Sequence, residues 1–529
     1  MLVPVDRLDE HGIVYDVKPH QLPDNAWSNG RNVRFRDGRL MKMLGELPVF
    51  DPPEVPPYWL IHMLDNAQES VWVYGGLTKV YTVISGTHHD ITHISGDYTA
   101  TEALRWNGGV LGGVPVLNNG MDVPQYWLPP ISGATPLVDL AAWDPTWRAQ
   151  VLRPFKVFLF ALSMTEDTDV YLHRVRISHP ADPGGLPPSW DDTDPKTDAV
   201  SVDLTDVDSG GIVDGLALGD QFLVYKERST HAFQFTGGAL KWRNYQVFEQ
   251  SGLMARNCVT TFDKGRQHFV VTGEDVLVHN IQQQQSVIDR KQQRWLLNNL
   301  SSTHFSRSFV VPNLAENEVW FCFPLEGSEW CNIALVWNRQ TNTVTFRDIP
   351  QCAHAALGRV PTDPANKETW DSDNTVWDSD STTWDQFQHA LFSRRIVACS
   401  PTTPDFRHME ITQQFNGVNY ESFIEREGIN IFGIDRYGNV QRSTNRYKLV
   451  RAIHPKGSGG PIGISLGTQE TLEAPTVWSA EQIFTPGQSL PCVYFDAPCR
   501  LYSIRFRVFN DKSMGLEGYD IDVEPLGDF

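Results

Sequence analysis

Val71-Trp72-Val73-Tyr74 runs into Gly75-Gly76, and the chain returns as Lys79-Val80-Tyr81-Thr82-Val83. β-Branched and aromatic residues fill both arms and glycine supplies the reversal, so the stretch predicts two short antiparallel strands. The unit recurs on either side. Leu104 to Val110 and Val114 to Gly120 flank one Gly-rich turn, and Phe155 to Phe160 reads as a further strand. Gln221 to Tyr225, His231 to Phe235, His268 to Val271 and Asp275 to Val278 follow, then Glu318 to Phe323, Ile333 to Asn338 and Thr343 to Arg347. The clusters return about every 40–50 residues, the spacing of propeller blades. Radial repetition of small antiparallel sheets leaves only short, protected edges. A set of stacked β-sandwiches gives similar local patterns and is the alternative.

Near the start, Arg31 to Arg36 alternates, with Val33 and Phe35 on one face and Asn32 and Arg34 on the other. Asp37-Gly38 is a strong two-residue hairpin signal, and Leu40, Met41, Met43 and Leu44 supply the return strand. One helix is expected through the Gln-rich stretch where Ile281, Ile288 and Trp295 recur every seven residues, widened by Leu296 and Leu297. Residues 361–387 break the composition: prolines open a polar, acidic run with three tryptophans, read as an exposed insertion. Strand character returns at Phe406 to Gln413, Asn419 to Glu425, Tyr447 to Ile453 and Arg500 to Val508. The reading is all-β, a β-propeller with an additional β-sandwich-like platform domain and a short helix or two. Its parts are an N-terminal hairpin segment over 1–50 joining the platform, a propeller over 51–360, the Trp/Asp-rich insertion and return strand over 361–399, and the platform over 400–529.

Across 529 residues, 17 tryptophans stand beside 40 glycines and 34 prolines, a mixture that favours short strands and frequent reversals. No apolar run reaches the ~18–20 residues that span a bilayer. Met1 to Arg7 lacks the basic and apolar regions of a signal peptide, so folding in a cytoplasm is expected. Cys258, Cys322, Cys331, Cys352, Cys399, Cys492 and Cys499 form no C-x-x-C pair and read as small buried hydrophobes. A formal net charge of −20 argues against wrapping nucleic acid, which needs basic patches. An acidic wall would still let DNA slide past without sticking.

The motifs that carry chemistry are weak. Trp370-Asp371-Ser372-Asp373 recurs as Trp377-Asp378-Ser379-Asp380, then Trp384-Asp385. Asp, Ser, Asn and Thr bond to their own backbone, so turns are expected there and not a helix. Four clustered carboxylates suit calcium, but the glycine at position six and the distal glutamate of a calcium loop are missing. The order Ser-x-Asp-x-Gly-x-x-Trp of a sialidase-type Asp box fails as well. His88, His89 and His93 lack a nearby fourth ligand and read as surface histidines on a β-turn. No nucleophile elbow, phosphate loop or zinc motif occurs. No catalytic, cofactor-binding or metal-ligating residue is therefore assigned, and no cofactor is expected.

Leu22-Pro23-Asp24-Asn25-Ala26-Trp27-Ser28-Asn29-Gly30-Arg31-Asn32-Val33-Arg34-Phe35-Arg36-Asp37-Gly38 resembles the opening of a family of tail proteins from short-tailed phages. So do Gln285 to Arg290 with Arg294-Trp295-Leu296-Leu297, Asn317 to Pro324, the Trp-Asp-Ser-Asp repeat and the ending Gly518 to Val523. That family comprises tail tubular protein B and the packaged-DNA stabilisation proteins. The resemblance implies a virion protein and not an enzyme: a nozzle subunit, hexameric, below the tail adaptor ring. It would carry fibres or a tip and enclose a channel through which genomic DNA passes without tight binding. The rival expectation is a carbohydrate-binding or carbohydrate-degrading propeller that acts on host surface glycans.

Overall fold

The computed structural model describes residues 2–65, 69–127, 133, 135–206, 210–238, 240–288, 291–361, 392–437, 439–487 and 490–527. The Trp/Asp-rich repeat over 370–385, with its calcium and Asp-box readings, lies outside them. The described chain is all-β: a β-propeller and a β-sandwich platform, with one α-helix, Gln293–Asn299. It forms two compact units, one of Met1–Leu47, Phe269–Pro350 and Glu410–Phe529, the other of Pro48–His268 and Gln351–Met409. Residues 269–350, read from sequence as propeller, belong to the unit that holds the sandwich.

The propeller unit is built from four-stranded antiparallel meanders. Trp59–Leu64, Ser70–Gly75, Val80–Ile84 and Thr87–Asp90 make the first, and three more follow in chain order up to Trp242–Phe248. The first strand of each sheet packs beside the first strand of the next, from Trp59–Leu64 through Asn107–Leu111 and Arg148–Phe155 to Ile212–Leu218 and Val259–Phe262. His354–Pro361 packs on the other side of Trp59–Leu64, which brings the end of the unit back to its beginning. Trp72 Nε1 and Ser70 Oγ both donate to the Arg359 carbonyl, at 3.0 and 2.7 Å, and Val49 N donates to Phe406 O at 2.9 Å. Between two of the sheets Phe160 stacks on Phe222 at 4.1 Å, with Trp242 edge-on at 5.2 Å. Phe160, Phe222 and Phe233 are fully buried there. Burying three such rings contributes roughly 1.5–3 kcal/mol each.

Three sequence expectations fail in detail. Phe155 to Phe160 is not one strand. Phe155 ends one strand and pairs with Phe158 at the start of the next, across Lys156 and Val157. Lys156 sits at φ 54°, a left-handed turn position without the glycine that would have marked it. The helix expected from Ile281 is confined to Gln293–Asn299. Gln284–Ser286 is a strand, and Ile281 stands at φ 77°, outside any helix. Ile288 is buried and Trp295 half-buried, but only Trp295 lies on the helix. His88 and His89 also lie within a strand, Thr87–Asp90, and not on a turn. Six of the seven cysteines are buried and Cys492 is partly so.

In the other unit, two six-stranded sheets form the sandwich. One runs Val33–Arg36, Arg39–Lys42, Met514–Gly527, Tyr447–Gly459, Val493–Cys499, with Leu2–Asp6 paired to Met514–Gly527. The second runs Asn29–Arg31, Ser422–Ile429, Leu501–Val508, Ile462–Gln469, Val477–Trp478, with Gln482–Phe484 beside Ile462–Gln469. Ile453, Tyr519, Ile521 and Val523 of one and Ile424, Ile464, Ile504 and Phe506 of the other are fully buried. The rings of Phe506 and Tyr519 meet at 5.2 Å. The expected hairpin is present: Val33 pairs with Lys42 and Phe35 with Leu40, around Asp37 and Gly38 at φ 52° and 79°. Two successive positive φ values make the turn whose twist matches antiparallel strands. Phe309–Asn313, Glu318–Phe323, Cys331–Asn338 and Thr343–Cys352 form a further meander.

Candidate functional site

The opening motif builds a buried clasp. Pairing in the hairpin places Arg34 under the sheet, where its Nε and Nη2 meet Glu318 Oε1 and Oε2 at 2.8 and 2.9 Å. Its Nη1 meets Glu410 Oε2 at 2.7 Å. Glu410 also binds Arg347, which reaches Glu46 at 3.5 Å and lies 4.7 Å from the ring centre of Trp320. Trp320 Nε1 donates to Glu318 at 3.0 Å. Three carboxylates and two guanidiniums thus share a dry site. Burial alone would lower the Arg34 pKa, yet Glu318 holds it above the usual value; for Arg347 burial wins over Glu46 and the pKa is lowered. Each group has a specific partner, so the site stores no free acid or base. It is a lock between segments from both ends and the middle of the chain.

The rest of the motif has structural work of the same kind. Arg426 sends its guanidinium into the Pro19 to Pro23 loop and donates to the carbonyls of Pro19, Leu22 and Pro23 at 2.9, 2.8 and 3.3 Å. Trp27 is buried against Phe506 and Tyr519, and its Nε1 donates to Leu8 O at 3.1 Å. Asn32, at φ 59°, exchanges bonds with Asp348 through its amide at 2.8 Å in each direction. A Cβ on Gly30 would lie 2.7 Å from Ile424 Cδ1, 3.1 Å from Ile13 Cδ1 and 3.2 Å from the Phe423 carbonyl oxygen, so a side chain there would force buried neighbours to shift.

Beside the clasp opens a cleft of about 480 Å³, lined by Tyr15, Asn29, Trp295, Phe346, Glu425 and Glu427 among others. Asp16 accepts the main-chain N–H groups of Arg294 and Trp295, at 2.7 and 3.2 Å, and so caps the short helix that carries Trp295. Trp295 then stacks on Tyr15 at 4.9 Å and meets Phe346 with its ring tilted at 4.5 Å. Glu425 is committed: it accepts Asn29 Nδ2 at 2.9 Å and pairs with Arg505. Burial and the neighbouring Glu425 push the Glu427 carboxyl upward. An aromatic wall facing carboxylate and amide groups can hold a polar ring with apolar C–H faces. With Glu425 neutralised by Arg505, the pair is better suited to binding than to acid–base chemistry.

Ser229, His231 and Asp206 in the propeller unit mimic a hydrolase trio without its order. Ser229 Oγ donates to Asp206 at 2.6 Å, while His231 Nε2 faces the same carboxylate at 3.2 Å and Ser229 only at 3.4 Å. The carboxylate also binds Lys226. No imidazole lies between serine and acid to relay the proton. His88 is held between Tyr74 and the Asp51 carbonyl, and His93 by Ser95. Among the described residues no group of three or more His, Cys, Asp or Glu is set to hold a metal ion.

The chain matches no known family profile and no curated protein sequence. Among solved structures it is similar to a putative 6-phosphogluconolactonase from Bacteroides fragilis, at 9% identity and TM-score 0.36, over 68% of this chain and 95% of that one. It is similar to the AfRom2 CNH domain at 8% identity and TM-score 0.33, over 61% and 96%. It is also similar to PorZ, a surface component of the type-IX secretion system of Porphyromonas gingivalis, at 9% identity and TM-score 0.31. There it spans 74% of this chain but only 43% of PorZ. At such scores no chemistry carries over. The clasp escaped the sequence reading because Arg34 lies 284 and 376 residues from its partners Glu318 and Glu410. The cleft escaped it because Tyr15, Trp295 and Glu425 are ordinary residues until the fold collects them.

Proposed function

We propose that this chain is a structural subunit of the nozzle of a short phage tail, assembled as a homo-hexameric ring that encloses the DNA channel. The observation that supports it most is the Arg34–Glu318 pair. It joins two of the segments that resemble tail nozzle proteins, the more specific Leu22 to Gly38 and the weaker Asn317 to Pro324, in one buried lock. Trp27 of the opening segment and Tyr519 of the ending Gly518 to Val523, which also resembles that family, are likewise in ring contact. Residues that serve a lock are expected of an architectural protein, whose task is to resist deformation while DNA passes. The virion is its place, and adaptor ring, fibres and genomic DNA are its partners. A titration of the full chain with duplex DNA at several salt concentrations tests the channel reading. Weak binding with a shallow salt slope agrees with a sliding wall. Micromolar binding with a steep negative slope means many phosphate contacts and contradicts it.

The cleft of Tyr15, Trp295 and Glu425 supports a second reading, a glycan-binding role in the same particle. Binding of oligosaccharides that is lost in Trp295→Ala but kept in Trp295→Phe would favour it. Equal binding by all three proteins would remove it.

A further inference from the structure

Three guanidiniums and one carboxylate gather on the inner strands of the propeller unit. Arg153 lies on Arg148–Phe155 and Asp214 on Ile212–Leu218; Arg105 and Arg256 stand just ahead of Asn107–Leu111 and Val259–Phe262. Arg153 grips Asp214 with Nε and Nη2, both at 2.8 Å. Its remaining donors reach Asn257 Oδ1 at 2.9 Å and Gly108 O at 3.1 Å. The other two acceptor directions of Asp214 take the main-chain N–H of Gly215 at 2.8 Å and of Asn257 at 2.9 Å. A carboxylate offers about four such directions, so this one is full.

Arg256 is left over. Its Nη1 points at the carbonyls of Arg105 and Gln150 at 3.4 and 3.3 Å, both long contacts, and among the described residues it has no carboxylate partner. Burial pulls its pKa down to about 10; Asp214 opposes this, and Arg105 and Arg153 add to it. The residue is nevertheless only part-buried, and the Nη1 contact to Gln150 lies at the exposed side of the site. A planar guanidinium in a screened site, with like charges beside it and no acid to take its donors, is the geometry that recognises a two-oxygen anion edge.

We propose that Arg256, flanked by Arg105 and Arg153, binds a small oxyanion, phosphate or carboxylate, at the inner strands of the propeller unit. The anion accepts the fork of Arg256 and supplies the counter-charge that Asp214, filled by Arg153 and two main-chain N–H groups, does not give it. This goes beyond the nozzle reading and does not depend on it. The test is the melting temperature of the full chain in chloride buffer, titrated at constant ionic strength with inorganic phosphate and, separately, with acetate. The expected result is a saturable rise of several degrees with one of the two, which names the source. The rise is absent in Arg256→Gln and reduced in Arg256→Lys, which keeps the charge and loses the fork. Arg39→Gln, at an exposed pair with Glu517, serves as the control and keeps the full rise. No rise with either anion in the unaltered chain, or an equal rise in Arg256→Gln, overturns the proposal. Should Arg256→Gln fail to fold, the Arg256→Lys response decides in the same way.

Discussion

Arg34 and Glu318 are 284 positions apart in sequence and form a two-pronged ion pair at 2.8 and 2.9 Å, with both side chains almost wholly out of water. The Arg34→Ala change leaves Glu318 and Glu410 as buried charges with one guanidinium between them. The expected loss is about 3–5 kcal/mol, because breaking a buried pair strands its partner. Removing both ends together, as Arg34→Met with Glu318→Leu, costs markedly less than the single change. Chemical unfolding of the unaltered chain and the two variants measures this; equal losses for the single and double variants would mean that the pair is not the lock.

The hairpin turn gives a local counterpart. Gly38 stands at φ 79° with nothing near its missing Cβ, so conformation alone resists a side chain there. Gly38→Val is expected to cost about 1–2 kcal/mol. Asp37→Asn, at φ 52°, is expected to be nearly neutral, since asparagine tolerates that region. Thermal unfolding of both variants checks the contrast.

That hairpin was legible in the sequence because its signals are local: alternation in Val33 to Arg36 and the Asp37-Gly38 pair. The blade strands were legible for the same reason. Lys156 and Val157 were not, because a turn without glycine inside an aromatic run leaves no mark. The helix was overextended because Ile288 and Trp295 are apolar for separate tertiary reasons. Nothing local distinguishes Arg34 from Arg36, yet one is buried in the clasp and the other half-exposed. Such differences arise only when Glu318 and Glu410 arrive from elsewhere in the chain.

The core of the propeller unit supplies a packing prediction. Phe160 is fully buried and contacts Phe155, Phe222, Phe233 and Trp242. Phe160→Ala is expected to cost about 3–5 kcal/mol through lost burial and the cavity left behind. Phe160→Leu is expected to cost less. Comparable losses for both, measured by unfolding, would show that ring stacking outweighs volume.

Acid should loosen this unit first. Burial lowers His62 to about 4, with Arg359 adding to it; it lowers His408 to about 4 and His354 to about 3, with Arg395 and Arg105 adding. Folded values below the unfolded one of about 6.5 mean that the unfolded chain takes up more protons in that window. The stability of the neutral rings is therefore complete above about pH 6.5 and lost as pH falls toward the folded values. The three together allow a slope of roughly 4 kcal/mol per pH unit near pH 5. A pH series of unfolding curves should show it, and His408→Phe should flatten it. A flat profile from pH 7 to 4.5 would contradict the assignment.

The nozzle account stands or falls on assembly. The direct measurement is electron microscopy of the full 59.8 kDa chain, purified and mixed with the adaptor ring that the proposal assigns to it as a partner. The account predicts six-fold rings with a central hole wide enough for duplex DNA, seated coaxially on the adaptor. Single copies or open clusters attached to the rim, with the axis left clear, would contradict it.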